Sequence, residues 1–208
     1  MLPFGTILLT PLFGNMYDRK GKGAVFVGIN PAKPSKRSRR GLQEREFYKK
    51  NVKNGNAYEQ VLKYWENEIH GKFHRYYTPL GKLADQLSLT GPILWTELVK
   101  CENAPSEKVP PLQTFRICTH AYLMRELKSV PDDWPIIAIG QETYDRLVFL
   151  APGRVIIGVP HPASNGYFSK LVKRLSRIDV SLFWDTVNAK AQGAIWLPKW
   201  LSEKSHGL

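Results

Sequence analysis

The chain has 208 residues and a formal net charge of +12, which favours a polyanionic partner such as nucleic acid over a basic protein that has none. Hydrophobic residues make up 43% and aromatic residues 12%, enough for the core of one domain and too much for a disordered chain. The apolar runs are too short for a membrane helix, and the N-terminus lacks the basic start of a signal peptide. Two cysteines exclude a disulfide framework. We therefore expect a cytoplasmic protein that does not bind membranes.

Short apolar segments alternate with segments of helical periodicity along the chain. We predict strands at 24–29, 93–99, 135–139 and 155–159, and helices at 56–69, 79–89, 112–129, 141–150 and 168–189. In the last helix the residues predicted to face inward are Leu171, Val172, Leu175, Ile178, Leu182 and Phe183. This alternation is typical of βαβ units and predicts an α/β fold, a three-layer αβα sandwich with a central four-stranded parallel sheet.

A strongly basic segment follows the first predicted strand. Residues 33–53 carry nine Lys or Arg against two Glu. They belong to a predicted basic insertion of about 33–75, within a single domain of 1–208 whose core spans about 24–190. A charge run is commonly a solvated face, but its place directly after a strand end favours phosphate contacts. The side chains assigned to this role are Lys33, Lys36, Arg37, Arg39 and Arg40. Lys170, on a later helix, extends the basic surface.

Two polar motifs follow predicted strands, where the carboxyl ends of parallel strands form sites. In GINPA, 28–32, Pro31 biases Asn30 towards an extended conformation, which presents its amide to a water or a ligand. In VPHPASNG, 159–166, two prolines hold His161, and small residues allow a phosphate to approach the backbone. The alternatives are a plain turn at Asn30 and an ordinary surface histidine at His161.

Together these motifs resemble the uracil-DNA glycosylase superfamily. GINPA is similar to the Gly-x-x/Asn-Pro motif of its mismatch-specific and single-strand-selective branches, and VPHPASNG to its His-Pro-Ser-like motif. PLGKLADQL at 79–87, TELVKC at 96–101 and Cys118 followed by AYL resemble the four-cysteine iron–sulfur branch instead. The resemblance covers about residues 24–167.

The resemblance implies a reaction and assigns residues to it. A damaged nucleotide would be flipped into a pocket, Asn30 would position the water that attacks C1′, and His161 would hydrogen-bond the leaving base. Tyr76 would stack on the base, with Tyr77 and Phe47 as alternatives, and packing before a helix is the competing interpretation of both tyrosines. The other residues assigned to the base are Gly28, Ile29 and Glu97, and those assigned to DNA include Ser164 and Asn165.

Two departures from the family pattern affect its predictions. Glu97 stands where uracil-binding branches have Asn, and an ionised carboxylate can only accept hydrogen bonds, so it would repel O4 of uracil. Either burial keeps Glu97 protonated, or the base carries extra donors, or the site is not catalytic; Glu97 could also point away, towards Lys100. Only Cys101 and Cys118 match ligands of the cluster, so we expect no iron–sulfur cluster and no metal or other cofactor.

We therefore predict a monomeric, monofunctional DNA glycosylase that acts in base-excision repair on uracil or another deaminated or mispaired base. The first alternative is a protein with the glycosylase fold that binds DNA without chemistry, and Glu97 is the feature that favours it. The second is an unrelated α/β enzyme that acts on a nucleotide or a small acid.

Overall fold

The computed structural model describes residues 12–14, 21–29, 76–100, 110–164, 166–189 and 193–205, with the backbone alone for 12–14. Its strands form one sheet in the order β1-β3-β2-β4-β5-β6. These strands are β1 (Leu12–Gly14), β2 (Ala24–Gly28), β3 (Ile93–Glu97), β4 (Ile136–Ile139), β5 (Ile156–Val159) and β6 (Ala194–Trp196). Five of them are parallel, and β1 pairs antiparallel with β3 at one edge.

The α/β class is confirmed, with a parallel sheet of five strands rather than the predicted four. The additional parallel strand, β6, and the antiparallel edge strand, β1, have three residues each. A run of three residues is too short to show the alternation by which a strand is recognised in a sequence. The four predicted strands are all present, with bounds that differ by one or two residues from the prediction.

Helices cover both faces of the sheet. They are α1 (Tyr77–Gln86), α2 (Leu112–Cys118), which continues through a π-helical turn (Thr119–Leu123) into α3 (Met124–Lys128), α4 (Gln141–Leu150), α5 (Tyr167–Leu175), α6 (Val180–Ala189) and α7 (Leu197–Ser205). Helices α1, α5, α6 and α7 pack on one face, and α2, α3 and α4 pack on the other. None of the helices described here is long and apolar enough to cross a membrane.

The central strand β2 contributes to both cores because successive side chains of a strand point to opposite faces. Ala24 and Phe26 lie in the core beneath α1 and α5, whereas Val25 and Val27 lie in the core beneath α2 and α4. All five residues of β2 are buried. This explains why the strand appears in the sequence as a continuous apolar run.

The prediction of one long helix over 168–189 is wrong, since the segment contains α5 and α6. The Asp179 carboxylate accepts a hydrogen bond from the Ser181 backbone N–H at 2.9 Å and caps the start of α6. The break shifts the helical phase. Phe183 and Val187 therefore face the core, while Leu182, predicted to face inward, is 53% exposed.

The strand order reverses its direction at β2. The chain passes from β2 to β3 on one side, and later strands continue from β4 on the other side of β2. At such a switch point the loops after neighbouring strands lead in opposite directions, which opens a binding crevice between them. The two polar motifs found in the sequence begin at the last residues of β2 and β5.

The fold makes a testable distinction between two glycines. A Cβ added to Gly158 in β5 would lie 2.2 Å from Trp196 and 2.5 Å from Tyr144, whereas one on Gly81 in α1 meets nothing within 4 Å. We expect Gly158→Ala to lower the free energy of unfolding by about 1–3 kcal/mol through overpacking. Gly81→Ala should raise it by about 0.5–1 kcal/mol through helix propensity. Urea denaturation measures both, and equal effects would contradict the packing around Gly158.

Candidate functional site

Glu97 and Gly28 face each other at the carboxyl ends of β3 and β2, where they are paired in register. A Cβ on Gly28 would lie 2.0 Å from Glu97 Oε2, so a side chain at this position would displace the carboxyl group from where it lies. Oε2 is buried and has no hydrogen-bond partner among the described residues. A buried polar atom of this kind is a candidate for contact with a ligand.

Burial raises the pKa of Glu97 from its ordinary value of 4.5 to about 8, although the nearby Lys100 acts to lower it. The carboxyl group is therefore mostly protonated at neutral pH. In that state it has one O–H donor and one carbonyl acceptor, like the two ends of an amide. Of the possibilities left open by the sequence, burial supports a protonated Glu97.

Tyr76 lies beside Glu97, immediately before α1. Burial raises its pKa well above 10.0, and the charges of Glu97 and Tyr77 raise it further, so the phenol stays neutral. Its ring lies 5.3 Å from the His161 ring, at an angle of 49° between the planes. Tyr77, the alternative stacking residue, contacts Tyr76 and Trp95 edge to face. Tyr76 also packs against the core, which agrees with the packing interpretation of this residue, while its stacking on a base stays a prediction.

The loop after β5 holds His161 in a defined orientation. The Ala163 backbone N–H donates to His161 Nδ1 at 3.1 Å, and the Ser164 N–H donates to the His161 carbonyl at 2.9 Å. Because Nδ1 accepts a hydrogen bond, the neutral ring carries its proton on Nε2. Burial lowers the pKa of His161 below its ordinary value of 6.5, which favours this neutral form.

Four of the predicted site residues thus belong to one region at the carboxyl ends of the strands: Gly28, Tyr76, Glu97 and His161. Tyr76 connects them, since it contacts the His161 ring and is electrostatically coupled to Glu97. The Ile29 side chain packs instead against the core on the α2 and α4 face. Ser164 Oγ is buried without a partner among the described residues, and Lys170 is exposed on α5.

Several predicted residues lie outside the described part of the chain. They are Asn30, Lys33, Lys36, Arg37, Arg39, Arg40, Phe47, Cys101 and Asn165, together with the predicted helix over 56–69. The residues that carry the site described here are therefore those of β2, β3, the start of α1 and the loop after β5.

Lys100 forms its contacts on the opposite face of the sheet from Glu97. Its Nζ forms an ion pair with Glu126 Oε2 at 2.6 Å and also donates to the Thr96 hydroxyl. One possibility left open by the sequence is that Glu97 points to Lys100. In the structure, Lys100 forms its ion pair with Glu126 instead. Thr96 and Lys100 are visible in the TELVKC motif, but nothing in the sequence marks Glu126, which lies 26 residues further along the chain.

Cys118 is a buried thiol in α2, packed within the core of the α2 and α4 face. Within the described ranges, no group of three or more His, Cys, Asp or Glu side chains could hold a metal ion. Comparisons with protein-family models, with curated proteins and with solved structures found no match for this chain.

The raised pKa of Glu97 predicts a specific pH dependence of stability. Between about pH 4.5 and pH 8 the folded chain keeps a proton on Glu97 that the unfolded chain releases, so stability falls as pH rises. In mid-range the slope from this group approaches 1.4 kcal/mol per pH unit, an order-of-magnitude upper value. We expect Glu97→Gln to remove this contribution.

Urea denaturation at pH 5, 6, 7 and 8 measures the effect, with Glu203→Gln on the exposed surface of α7 as the matched control. The wild-type and Glu203→Gln chains should lose stability in parallel, and Glu97→Gln should lose less. Parallel curves for all three chains would show that Glu97 titrates normally.

Proposed function

We propose that the chain is a monofunctional DNA glycosylase that hydrolyses the N-glycosidic bond of a flipped, deaminated or mispaired base. The observation that carries this proposal is the hydrogen bond from the Ala163 N–H to His161 Nδ1. It orients a neutral imidazole with its Nε2–H available as a donor beside the Tyr76 ring, and Tyr76 in turn lies next to the protonated Glu97 carboxyl group. The sequence resemblance and the net charge of +12 support the same assignment.

In the proposed reaction, His161 stabilises the leaving base. As the bond between C1′ and the base nitrogen breaks, both electrons of that bond stay with the base. Nε2–H would donate to the base carbonyl on which this charge develops. A donor aimed at developing charge contributes about 3 kcal/mol, without any transfer of its proton. Water adds to C1′ and loses a proton, and Asn30, two residues after Gly28, is proposed to hold that water.

Tyr76 and Glu97 are proposed to bind the flipped base. Stacking of a base on Tyr76 would contribute about 1–3 kcal/mol. Protonated Glu97 can donate to a carbonyl such as O4 of uracil and accept from the adjacent N3–H, as an amide would. Its buried Oε2, which has no partner among the described residues, suits this role.

The proposed DNA contacts continue from the His161 loop along α5. Lys170 and Lys173 are exposed on α5 and Arg177 is exposed just after it, while Arg174 donates to the Leu201 carbonyl at 3.2 Å. Such contacts with phosphates would contribute affinity and register but not the choice of base.

The alternative is a protein that binds a flipped base without hydrolysis. The observation that favours it is Glu97 itself, because above about pH 8 the group becomes a buried carboxylate that repels a base carbonyl. The two functions differ in a single measurable product, the abasic site.

Excision from oligonucleotides that contain uracil, hypoxanthine or xanthine, single- or double-stranded, tests the proposal. We expect uracil excision by the wild type to fall as pH rises through about 8, since Glu97 then loses its proton. Glu97→Asn should increase excision and remove this fall, because an amide does not titrate. His161→Ala should lower the rate by about 100-fold, the usual effect of losing one such donor. Glu203→Gln is the control. Binding without abasic product on every oligonucleotide would support the alternative function.

The salt dependence of DNA binding tests the basic face of α5. Each Lys or Arg that neutralises a duplex phosphate contributes about −0.9 to the slope of log K against log salt. We expect Lys170→Ala combined with Lys173→Ala to reduce the slope by about 2. Lys128→Ala, on α3 across the sheet, should leave it unchanged. An equal slope for all three proteins would exclude α5 from the DNA contact.

A further inference from the structure

A buried ion pair lies on the face of the sheet opposite to the candidate site. Lys100 is 2% exposed and Glu126, on α3, is 12% exposed; Nζ and Oε2 are 2.6 Å apart. The Thr96 hydroxyl donates to the same Glu126 oxygen at 2.5 Å and accepts from Lys100 Nζ. The three side chains form a closed cluster in which each contacts the other two.

Stability alone does not account for this cluster. Taking a lysine and a glutamate out of water carries a large desolvation penalty, and apolar side chains of similar volume are often as stabilising or more so. The surroundings would suit apolar side chains, because Leu98, Val99, Phe115, Cys118 and Leu123 belong to the core on this face. A buried ion pair in such a place therefore suggests a role in holding a particular geometry.

The geometry that the cluster holds is that of the site. Thr96 immediately precedes Glu97, and successive strand residues point to opposite faces, so anchoring Thr96 fixes the backbone from which Glu97 projects. Beyond β3, the Leu98 N–H donates to the Gly28 carbonyl at 2.8 Å, and the Val99 N–H donates to the Ile29 carbonyl at 3.1 Å. Backbone hydrogen bonds thus join the segment between Thr96 and Lys100 to the end of β2.

We propose that Thr96, Lys100 and Glu126 are positioning residues that, from the opposite face of the sheet, fix the Glu97 carboxyl group against Gly28 and hold the end of β2 in place. Their effect on excision rests on the proposed function, whereas their effect on Glu97 does not. Lys100 affects the site indirectly, through the backbone that carries Glu97 and through its positive charge, and it does not contact a base.

Lys100 also supplies positive charge near Glu97. Among the described residues, Tyr76 lies beside Glu97 just before α1, with His161 beyond it, and Lys100 acts on Glu97 from the opposite face of the sheet. Tyr76 and His161 are neutral near pH 7, and the Lys100 charge lowers the pKa of Glu97 against the effect of burial. Without that charge, the pKa of Glu97 should rise.

The test replaces the cluster with apolar side chains of similar size, in Thr96→Val combined with Lys100→Met and Glu126→Leu. The pKa of Glu97 is measured in the whole chain without DNA by NMR titration of ¹³C-labelled glutamate carboxyls, with the Glu97 signal assigned from its absence in Glu97→Gln. We expect the triple variant to fold with a thermal midpoint at or above that of the wild type. The midpoint of Glu97 titration should rise by about 0.5 pH unit or more, which is about a threefold or greater change in proton affinity.

One further variant serves as a control, and another replaces the triple variant if that chain does not fold. Arg146→Met combined with Glu142→Leu removes a surface ion pair on α4 and should leave the titration of Glu97 unchanged. If the triple variant does not fold, Lys100→Met is measured instead and should move the Glu97 midpoint in the same direction. It removes the positive charge near Glu97 and leaves the Glu126 carboxyl group without its lysine, and neither change favours ionisation of Glu97.

A folded triple variant or Lys100→Met chain in which Glu97 titrates as in the wild type would overturn the inference. Where the wild type excises uracil, the triple variant should do so at least about tenfold more slowly, and its pH profile should shift with the new midpoint. Excision with an unshifted pH profile would also overturn it. A wild type without excision would count against the proposed function alone, because the titration is measured without DNA.

Discussion

The pairing of β2 with β3 on one side and β4 on the other is the interaction on which the rest of the structure depends. It buries β2 completely, divides its side chains between two cores, and aligns Gly28 with Glu97 at the strand ends. A shift of one residue in the register of β2 would move each of its side chains to the opposite core and would place another residue opposite Glu97. The position of the carboxyl group is therefore a consequence of strand register, which the two hydrophobic cores enforce.

The same alternation gives the end of β3 two different polar environments. Thr96 points into a cluster with Lys100 and Glu126, where every group has a partner. Glu97 points to the other face, where Oε2 has none within the described residues. A fully paired buried cluster makes its surroundings more rigid, whereas a buried group without a partner can form a hydrogen bond with a ligand. The strand thus combines a rigid anchor with a group available for binding.

Neutral groups dominate the candidate site, although the chain as a whole is strongly basic. Burial favours the uncharged forms of Glu97, Tyr76 and His161 alike, so these side chains interact through directed hydrogen bonds and aromatic contacts. Apart from the buried Lys100, the positive charge of the described residues lies outside this group, on exposed faces such as that of α5. The exposed positive charge and the neutral groups of the candidate site therefore belong to different residues.

Apolar runs and helical periodicity were sufficient to predict the α/β class, four of the parallel strands and the polar motifs at their carboxyl ends, because those patterns are local. They missed β1 and β6, which are too short to show a pattern, and the helix break at Asp179. The sequence by itself also named Gly28, Tyr76, Glu97 and His161. Only the tertiary structure decided that burial raises the pKa of Glu97 to about 8, that Ala163 sets the His161 tautomer and that Lys100 pairs with Glu126. Burial and the choice among possible partners depend on how distant segments pack together, and no local pattern of residues encodes them.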